Sequence, residues 1–428
     1  MPQTPLTTRF LPSVAAIDRA EWDRLYGTFA EGFDFHVACH ASPPESLKFS
    51  AAAVFEGDRL VAGVPLLHAI FRLDMPLQGR FPGVSHWLER NLRRYVCLPV
   101  LAAGSPYTDE LGLALDPALD VSGRQHAMGT LVEDMLVRAR AASTVADLIA
   151  FKDVTEAQAV WADPVLRRFG FSRVATLPVA ILPLPFRNEA EYIASLTQNQ
   201  RSNLRRKLKK AKRVRVEVRQ SIVGLEQQIA ELREATRAEA GADYGDFEQV
   251  APAYFANVMQ HMPGNARVLL YWLDDELIGF ALVFLEPRRM IFQYVGMRYP
   301  AAREHGVYFL NWMTMVRLCL EMGIDELRAG QTTYVTKCRL GCTLERSWIY
   351  FRHRTPAYNF MCRLLKTLFA IDRIDPDLKA LGKQAPYRRS PQESDVSGQS
   401  NQPPADERQH VMSVRGQCRR PAAIEHTV

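Results

Sequence analysis

Apolar and polar positions along this chain spell the same hairpin twice. Residues 55–67 read Phe55-Glu-Gly-Asp-Arg-Leu-Val-Ala-Gly-Val-Pro-Leu-Leu67, and residues 272–284 read Trp272-Leu-Asp-Asp-Glu-Leu-Ile-Gly-Phe-Ala-Leu-Val-Phe284. In each, an apolar run meets an acidic or glycine turn, and a second apolar run opens on a small residue. That is the pattern of two antiparallel strands joined by a tight turn. Aligned, Asp58 falls on Asp275, Leu60 on Leu277, Val61 on Ile278 and Ala62 on Gly279. Each copy is followed by a long amphipathic stretch and another apolar strand, so the pattern predicts a duplicated α/β unit.

Around the first hairpin, the spacing predicts a helix over Asp18–Tyr26, capped by Asp18 and with Trp22 and Leu25 on one face. Residues 71–113, rich in glycine and proline, read as irregular. A helix over Arg124–Ala141, a buried strand Ala146–Phe151, a short helix ending at Gly170 and a last strand Arg173–Leu184 complete the first unit. The second unit opens with helical spacing over Asn188–Arg213 and a strand Val214–Val218. Helices Leu225–Ala240 and Phe247–Met262 follow, then strands Arg267–Leu273, Glu276–Leu285 and Met290–Met297. Helix Gly306–Met322, strand Asp325–Ala329, a polar loop Gly330–Thr336, strand Glu345–Arg352 and helix Ala357–Phe369 close it. The boundaries expected are 1–185 and 186–372, with a tail over 384–428 too poor in apolar residues to order.

Composition narrows the class. A chain of 428 residues, 47% hydrophobic and 23% charged, has room for two cores of ordinary globular character. No apolar run reaches the length of a transmembrane helix, and Met1-Pro-Gln-Thr-Pro carries no basic stretch before an apolar core. A cytoplasmic protein without a signal peptide is therefore expected. Seven scattered cysteines fit a reducing compartment rather than a disulfide framework. Cys338 and Cys342 are spaced CxxxC, yet no second pair stands nearby to complete four zinc ligands, so no metal is expected. The net charge of +6 is uneven: nine lysines and arginines, and no acid, lie between Arg201 and Arg215.

Four motifs, in order, carry a family resemblance. They are the opening Leu196-Thr-Gln-Asn-Gln-Arg-Ser-Asn-Leu-Arg-Arg206; the hairpin followed by a strand with Gln293, Tyr294 and Gly296; the helix begun at Gly306 and ended at Gly323; and Tyr334-Val-Thr-Lys337 with Gly341. The second half thereby resembles the CelD/BioF-type acyltransferases, related to the Fem-type aminoacyl transferases. The first half fits the same type of module more loosely, through its hairpin and the Leu166–Phe171 turn. The resemblance implies two tandem GNAT modules, an α/β (α+β) fold in which each mixed sheet is flanked by helices. It also implies an acyl donor, with acyl-CoA as co-substrate and no permanently bound cofactor, and an amine acceptor that is small or related to the cell envelope.

In such a module the sheet splays between its fourth and fifth strands, here between Gln293–Met297 and Arg328–Lys337. The transfer needs a proton acceptor, a donor for the oxyanion and charge for the phosphates. The resemblance makes Lys337, Tyr334 and His305 the catalytic candidates, with Glu304 an alternative base. It makes Gln293, Val295, Arg303, Gly306 and Gln331 the donor-binding candidates. The pyrophosphate turn departs from the family: Arg298-Tyr-Pro-Ala-Ala-Arg-Glu-His-Gly306 has one glycine, and a proline that removes an N–H. This leaves the donor open between coenzyme A and aminoacyl-tRNA. Uncompensated cations at Arg201, Arg205 and Arg206 and on to Arg215 would bind a substrate or a polyanion, such as tRNA or an anionic glycan or lipid head group. A non-catalytic polyanion-binding pair is the alternative of another class. For the helix at Tyr358–Phe369, packing against the sheet is expected in preference to a membrane contact.

Overall fold

The computed structural model describes residues 5–72, 82–141, 146–240, 250–365 and 375–388. Two mixed sheets, each flanked by helices, follow one plan. In the first, β1 (Leu6–Leu11), β2 (Lys48–Glu56), β3 (Arg59–Arg72), β4 (Cys97–Ala103) and β6 (Leu148–Thr155) lie side by side, with the short β5 (Ala114–Leu115) against β3. In the second, β9 (Val214–Arg219), β10 (Ala266–Leu273), β11 (Glu276–Leu285), β12 (Arg289–Met297) and β13 (Glu326–Arg328) repeat that order. Both sheets are antiparallel up to the fourth strand and then carry a parallel pair, β4 with β6 and β12 with β13.

The duplicated hairpins are β2–β3 and β10–β11, the second and third strands of both sheets. Their registers slip at the same place: Val54 faces Ala62 and Phe55 faces Leu60, while Tyr271 faces Gly279 and Trp272 faces Leu277. The extra residue is Val61 in one copy and Ile278 in the other, the pair that the alignment superimposes. A bulge re-aims the strand that carries it, so a shared bulge carries the duplication down to single residues.

Each sheet is completed by a strand from the other half of the chain. The stretch Arg173–Leu184, expected as one strand, is two: β7 (Ser172–Ala175) stays on the first sheet and β8 (Val179–Pro183) joins the second, between β13 and β14 (Thr343–Glu345). Pro178, lacking an N–H for a ladder, sits at the break. Reciprocally, the expected strand Glu345–Arg352 splits, and β15 (Ser347–His353) enters the first sheet between β6 and β7. The sheets therefore do not divide at residue 185.

Other elements were legible or hidden for local reasons. Asp18 caps helix Arg19–Tyr26 by accepting from the Glu21 N–H, and Gly323 ends helix Val307–Met322 in the left-handed region. The stretch Asn188–Arg213 is two helices, Glu189–Ser195 and Gln198–Lys210. A new capping box at Thr197, reciprocated by Gln200, starts the second. Residues 71–113 are not irregular throughout, since helix Pro82–Val96 and β4 fall within them. The Gly79–Phe81 cluster, the helix start at Phe247, residues 366–369 and the tail from 389 lie outside the described residues.

Helix Phe33–Ala41 of the first half packs on helix Tyr254–His261 of the second, and Phe35, Cys39 and Tyr107 share a core with Phe255, Phe280 and Phe284. That shared core sets the loops of the first module against the second sheet. Helix Glu226–Ala240 crosses β12 at Gly296, where a Cβ would stand 2.8 Å from the backbone at Leu232 and Arg233. Gly296→Ala should therefore destabilise by about 1–3 kcal/mol, since that backbone and the fully buried Phe280 ring, closer still to the added Cβ, must both give way. An unchanged urea midpoint would refute that close approach.

Candidate active site

β12 and β13 pair only from Arg289↔Glu326 to Ile291↔Arg328. Just beyond, the register against β11 slips, with Leu282 facing Tyr294 and Val283 facing Phe292, so Gln293 is the bulged residue. β12 runs on to Met297, while the chain beyond β13 stays with β8 through Ala329 N–H to Ala180 and Ala180 N–H to Gly330. The second sheet thus opens between its fourth and fifth strands.

Gly330 sits in the fork. A Cβ there would lie 3.5 Å from the Phe292 carbonyl and 3.3 Å from the Asp109 carboxylate, and its φ of +71° suits only glycine without strain. Thr332 and Thr333 follow with φ of 63° and 55°, a left-handed conformation that β-branched residues adopt only under strain. The expected loop ends early, because helix Tyr334–Arg339 begins within it. Lys337 lies on that helix and is buried rather than solvated; its Nζ donates to the carbonyls of Gln331 (2.7 Å) and Gly330 (3.2 Å). Of its three N–H donors, two are used in these bonds. Burial pushes the ammonium down to about 8, against the charge of neighbours that include Asp109. Tyr334 is fully buried and donates to the Pro178 carbonyl at 2.8 Å, and the Gln331 amide donates to Leu177 at 3.2 Å.

The first module supplies the opposite wall. Its loop from Gly104 to Leu111 is tied by Lys152 to the Thr108 carbonyl at 2.9 Å and by the Leu111 N–H to Asp153 at 2.8 Å. Gln293 donates its amide to the Tyr107 carbonyl, and Glu110 meets Arg289 at 3.3 Å. Arg328, buried, holds Glu345 at 3.1 Å; its Nη2 has no hydrogen-bond partner and lies 4.0 Å from Glu110. Burial raises the Asp109 carboxyl, Asp153 adds to this, and Lys152, Arg328 and Lys337 oppose it. Asp109, Glu110, Glu31, Arg289 and Arg328 were not among the sequence candidates. The available signal was the run Gly104-Ser-Pro-Tyr-Thr-Asp-Glu110, a turn holding two acids directly after a buried strand.

Burial also raises the Glu31 carboxyl to about 8; Arg289 opposes this, while Asp109, Glu110 and Glu286 add to it. A carboxyl held above its unfolded value binds its proton in the folded state between about pH 4.5 and pH 8, so stability falls as pH rises across that window. Glu31→Gln removes the titration. Its stability relative to the parent should rise by about 1–2 kcal/mol across the same window, allowing for solvent screening of a partly exposed group. Urea melts at both ends of the window check this, and a constant difference would be the contrary result.

The remaining candidates gather at a second place. Val295 lies half-buried on β12 opposite Ala281, and past its end comes the turn to helix Val307–Met322. Most amides of that turn are spent internally: Arg303 and Glu304 donate to Pro300, His305 to Ala301 and Gly306 to Arg303. Arg303 holds Glu239 at 2.6 Å, and His305 is a half-buried cap of the short helix Ala301–Glu304. Gly306, φ +64°, is pressed by helix Gln198–Lys210, whose Lys207 carbonyl would lie 2.7 Å from a Cβ there. The basic helix thus abuts the start of the helix expected to receive phosphate. Arg201 is engaged in capping the Ala194 carbonyl at 3.0 Å, and Arg206 meets Asn203 at 2.9 Å. Arg205, Arg206, Lys209 and Lys210 are exposed, and Arg201 and Arg205 line a shallow depression with Ala190, Ile193 and Ala194.

Residues 198–335 match the family model for the acetyltransferase (GNAT) domain. No curated protein matches the chain. Among solved structures, FemX is similar with a TM-score of 0.53 at 14% identity, covering 80% of this chain and 98% of that one. A tandem GNAT protein from the clavulanic acid biosynthesis pathway is similar with a TM-score of 0.45 at 12% identity, covering 82% and 99%. The match to the GNAT domain is confined to residues 198–335 of a mixed α/β fold of two sheets, and the likeness to FemX is one of fold. No described helix is long and apolar enough to cross a membrane.

Proposed function

We propose that this protein is an N-acyltransferase that moves an acyl group from a phosphate-bearing donor, a coenzyme A thioester, to the amine of a small or cell-envelope-related acceptor. The observation that carries this reading is the fork at the Gln293 bulge, which opens on Asp109 from one half of the chain and Lys337 from the other. The acceptor enters as an ammonium and loses a proton to Asp109. Its nitrogen attacks the acyl carbonyl, and the third N–H of Lys337 faces the developing oxyanion. The carbon–sulfur bond then breaks, and the leaving thiolate takes a proton from Lys337, whose value near 8 suits that transfer. The second proton of the attacking nitrogen returns to Lys337, leaving a neutral amide and a free thiol, while Asp109 releases its proton to solvent. Tyr334 and Gln331 act as positioning residues, since their polar atoms hold the Leu177–Pro178 link between β7 and β8. Placement among the CelD/BioF-type acyltransferases rests on the order of the sequence motifs.

A second reading, an aminoacyl-tRNA donor, is favoured by one feature: the turn's amides are spent, so phosphates must be met by the exposed cations of helix Gln198–Lys210. Turnover assays with acetyl-CoA and with charged tRNA separate the two. For tRNA, binding should weaken with salt by a log–log slope of about −0.7 per single-stranded phosphate contacted. Replacing Arg205, Arg206, Lys209 and Lys210 by Gln should flatten it. For coenzyme A the same variant raises KM with little salt dependence. Absence of turnover with either donor, alongside tight salt-sensitive RNA binding, would reject catalysis in favour of a polyanion-binding role.

A further inference from the structure

A helix of a globular protein turns its apolar stripe inward. Helix Pro82–Val96 does the reverse. It kinks at Leu92, and Val84 and Trp87 before the kink, Leu92 at it and Tyr95 after it are all exposed, Trp87 by 57%, while Val96 at its end is buried. Helix Pro356–Leu365 behaves likewise: Cys362 is buried and Asn359 ties it to the Gly170 carbonyl at 3.3 Å, while Phe360 and Leu364 are 62% and 65% exposed. The helix packs on β15 of the first sheet, as expected, yet leaves these two apolar side chains in solvent. The two helices meet through Tyr95 and Tyr358, whose rings stack with centroids 6.0 Å apart. They form one apolar, aromatic patch.

The charge on these helices is of one sign. Arg90, Arg93, Arg94 and Arg363 are exposed, and the one acid in either helix, Glu89, is taken up by Arg72 at 3.0 Å. Arg363 also lines a cleft with Arg167, Arg173, Ser172 and Trp348, where Arg167 and Arg173 both pair with Asp163. The Ser172 hydroxyl and the Trp348 indole N–H there have no partner. Aromatic and aliphatic side chains flanked by arginines are what an amphipathic element presents to the interface of an anionic bilayer.

We propose that helices Pro82–Val96 and Pro356–Leu365 together dock this protein on an anionic phospholipid surface. The apolar patch enters the headgroup boundary, and the arginines meet the phosphates. Charge complementarity selects this occupant over a second copy, since two such patches face to face would set arginine against arginine.

Flotation of the full chain with vesicles tests the idea. Vesicles of phosphatidylcholine mixed with phosphatidylglycerol should carry the protein, and vesicles of phosphatidylcholine alone should not. The triple variant Trp87→Ser, Phe360→Ser, Leu364→Ser should lose about tenfold or more in partitioning, from the lost apolar contact. Replacing Arg90, Arg93 and Arg94 by Gln should cost about fivefold for each charge. These positions are exposed, so unchanged thermal melts serve as the folding control. No flotation with anionic vesicles, or equal flotation of the apolar variant, would overturn the proposal. So would a solution dimer abolished by that variant while vesicles stay unbound, which would assign the patch to a contact between copies.

Discussion

Lys337→Met is expected to lower turnover by about a hundredfold to a thousandfold, the loss typical of removing one donor to a developing oxyanion. Two of its N–H groups hold the Gly330 and Gln331 carbonyls in the strained stretch before helix Tyr334–Arg339. The variant therefore leaves buried acceptors unpaired and should lose about 1–3 kcal/mol of stability, partly offset by removing a buried charge. A surface lysine would show neither effect. Its pH dependence is specific. Burial pushes the ammonium down to about 8 from 10.5, so the acid form is depleted as pH rises through about 8, and turnover should fall there. In Lys337→Met that descending limb should vanish. Stability moves the opposite way: between about 8 and 10.5 the unfolded chain binds the extra proton, so the parent gains stability with pH relative to the variant. A limb near pH 8 that survives in a folded Lys337→Met would assign it to another group.

The sequence made the duplicated hairpins legible because a bulge is written in local residues: Val61 and Ile278 align without any knowledge of the sheets. The splay, by contrast, was expected only from the family resemblance, and the structure shows it where the short β13 leaves the long β12. The strand exchange was not legible. Nothing in Val179–Pro183 or Ser347–His353 states which sheet the strand joins, because apolar alternation specifies a buried face and not a partner. Helix Pro82–Val96 was hidden by a neighbourhood rich in glycine and proline and by an apolar stripe that no core demands. The candidate site divides along the same line. Gln293, Gln331, Tyr334 and Lys337 share the fork, whereas Arg303, His305 and Gly306 belong to the turn beyond β12. Lys337 was a candidate through the resemblance alone, and its burial was not legible because helix Tyr334–Arg339 begins inside what reads as a polar loop. Asp109 was missed for the complementary reason, since between Thr108 and Glu110 it looks like any polar turn until the shared core brings it to Gly330.

Asp109→Asn is the decisive experiment on that pairing. As proton acceptor, Asp109 should contribute about a hundredfold to ten-thousandfold to turnover, and the loss should appear in kcat with KM for the acceptor nearly unchanged. The isosteric amide preserves the contact with Gly330, so stability should hold or rise slightly once a half-buried carboxylate is gone. Burial raises the Asp109 carboxyl, so the ascending limb of the rate profile should lie above the ordinary aspartate range in the parent and disappear in the variant. The competing role is that of a counter-charge holding Lys337 protonated, and it predicts a different profile. Asp109 opposes the effect of burial on Lys337, so its neutralisation would drop the ammonium below 8 and move the descending limb to lower pH. The plateau rate on the acidic side of that limb would then be intact. The double variant with Lys337→Met separates the two in a cycle. A proton acceptor in its own right still serves the residual reaction, so Asp109→Asn should lower the rate of Lys337→Met further, by less than its full effect in the parent. If Asp109 only tuned Lys337, Asp109→Asn would have no further effect in the Lys337→Met background, and the proton acceptor would have to be sought at Glu31.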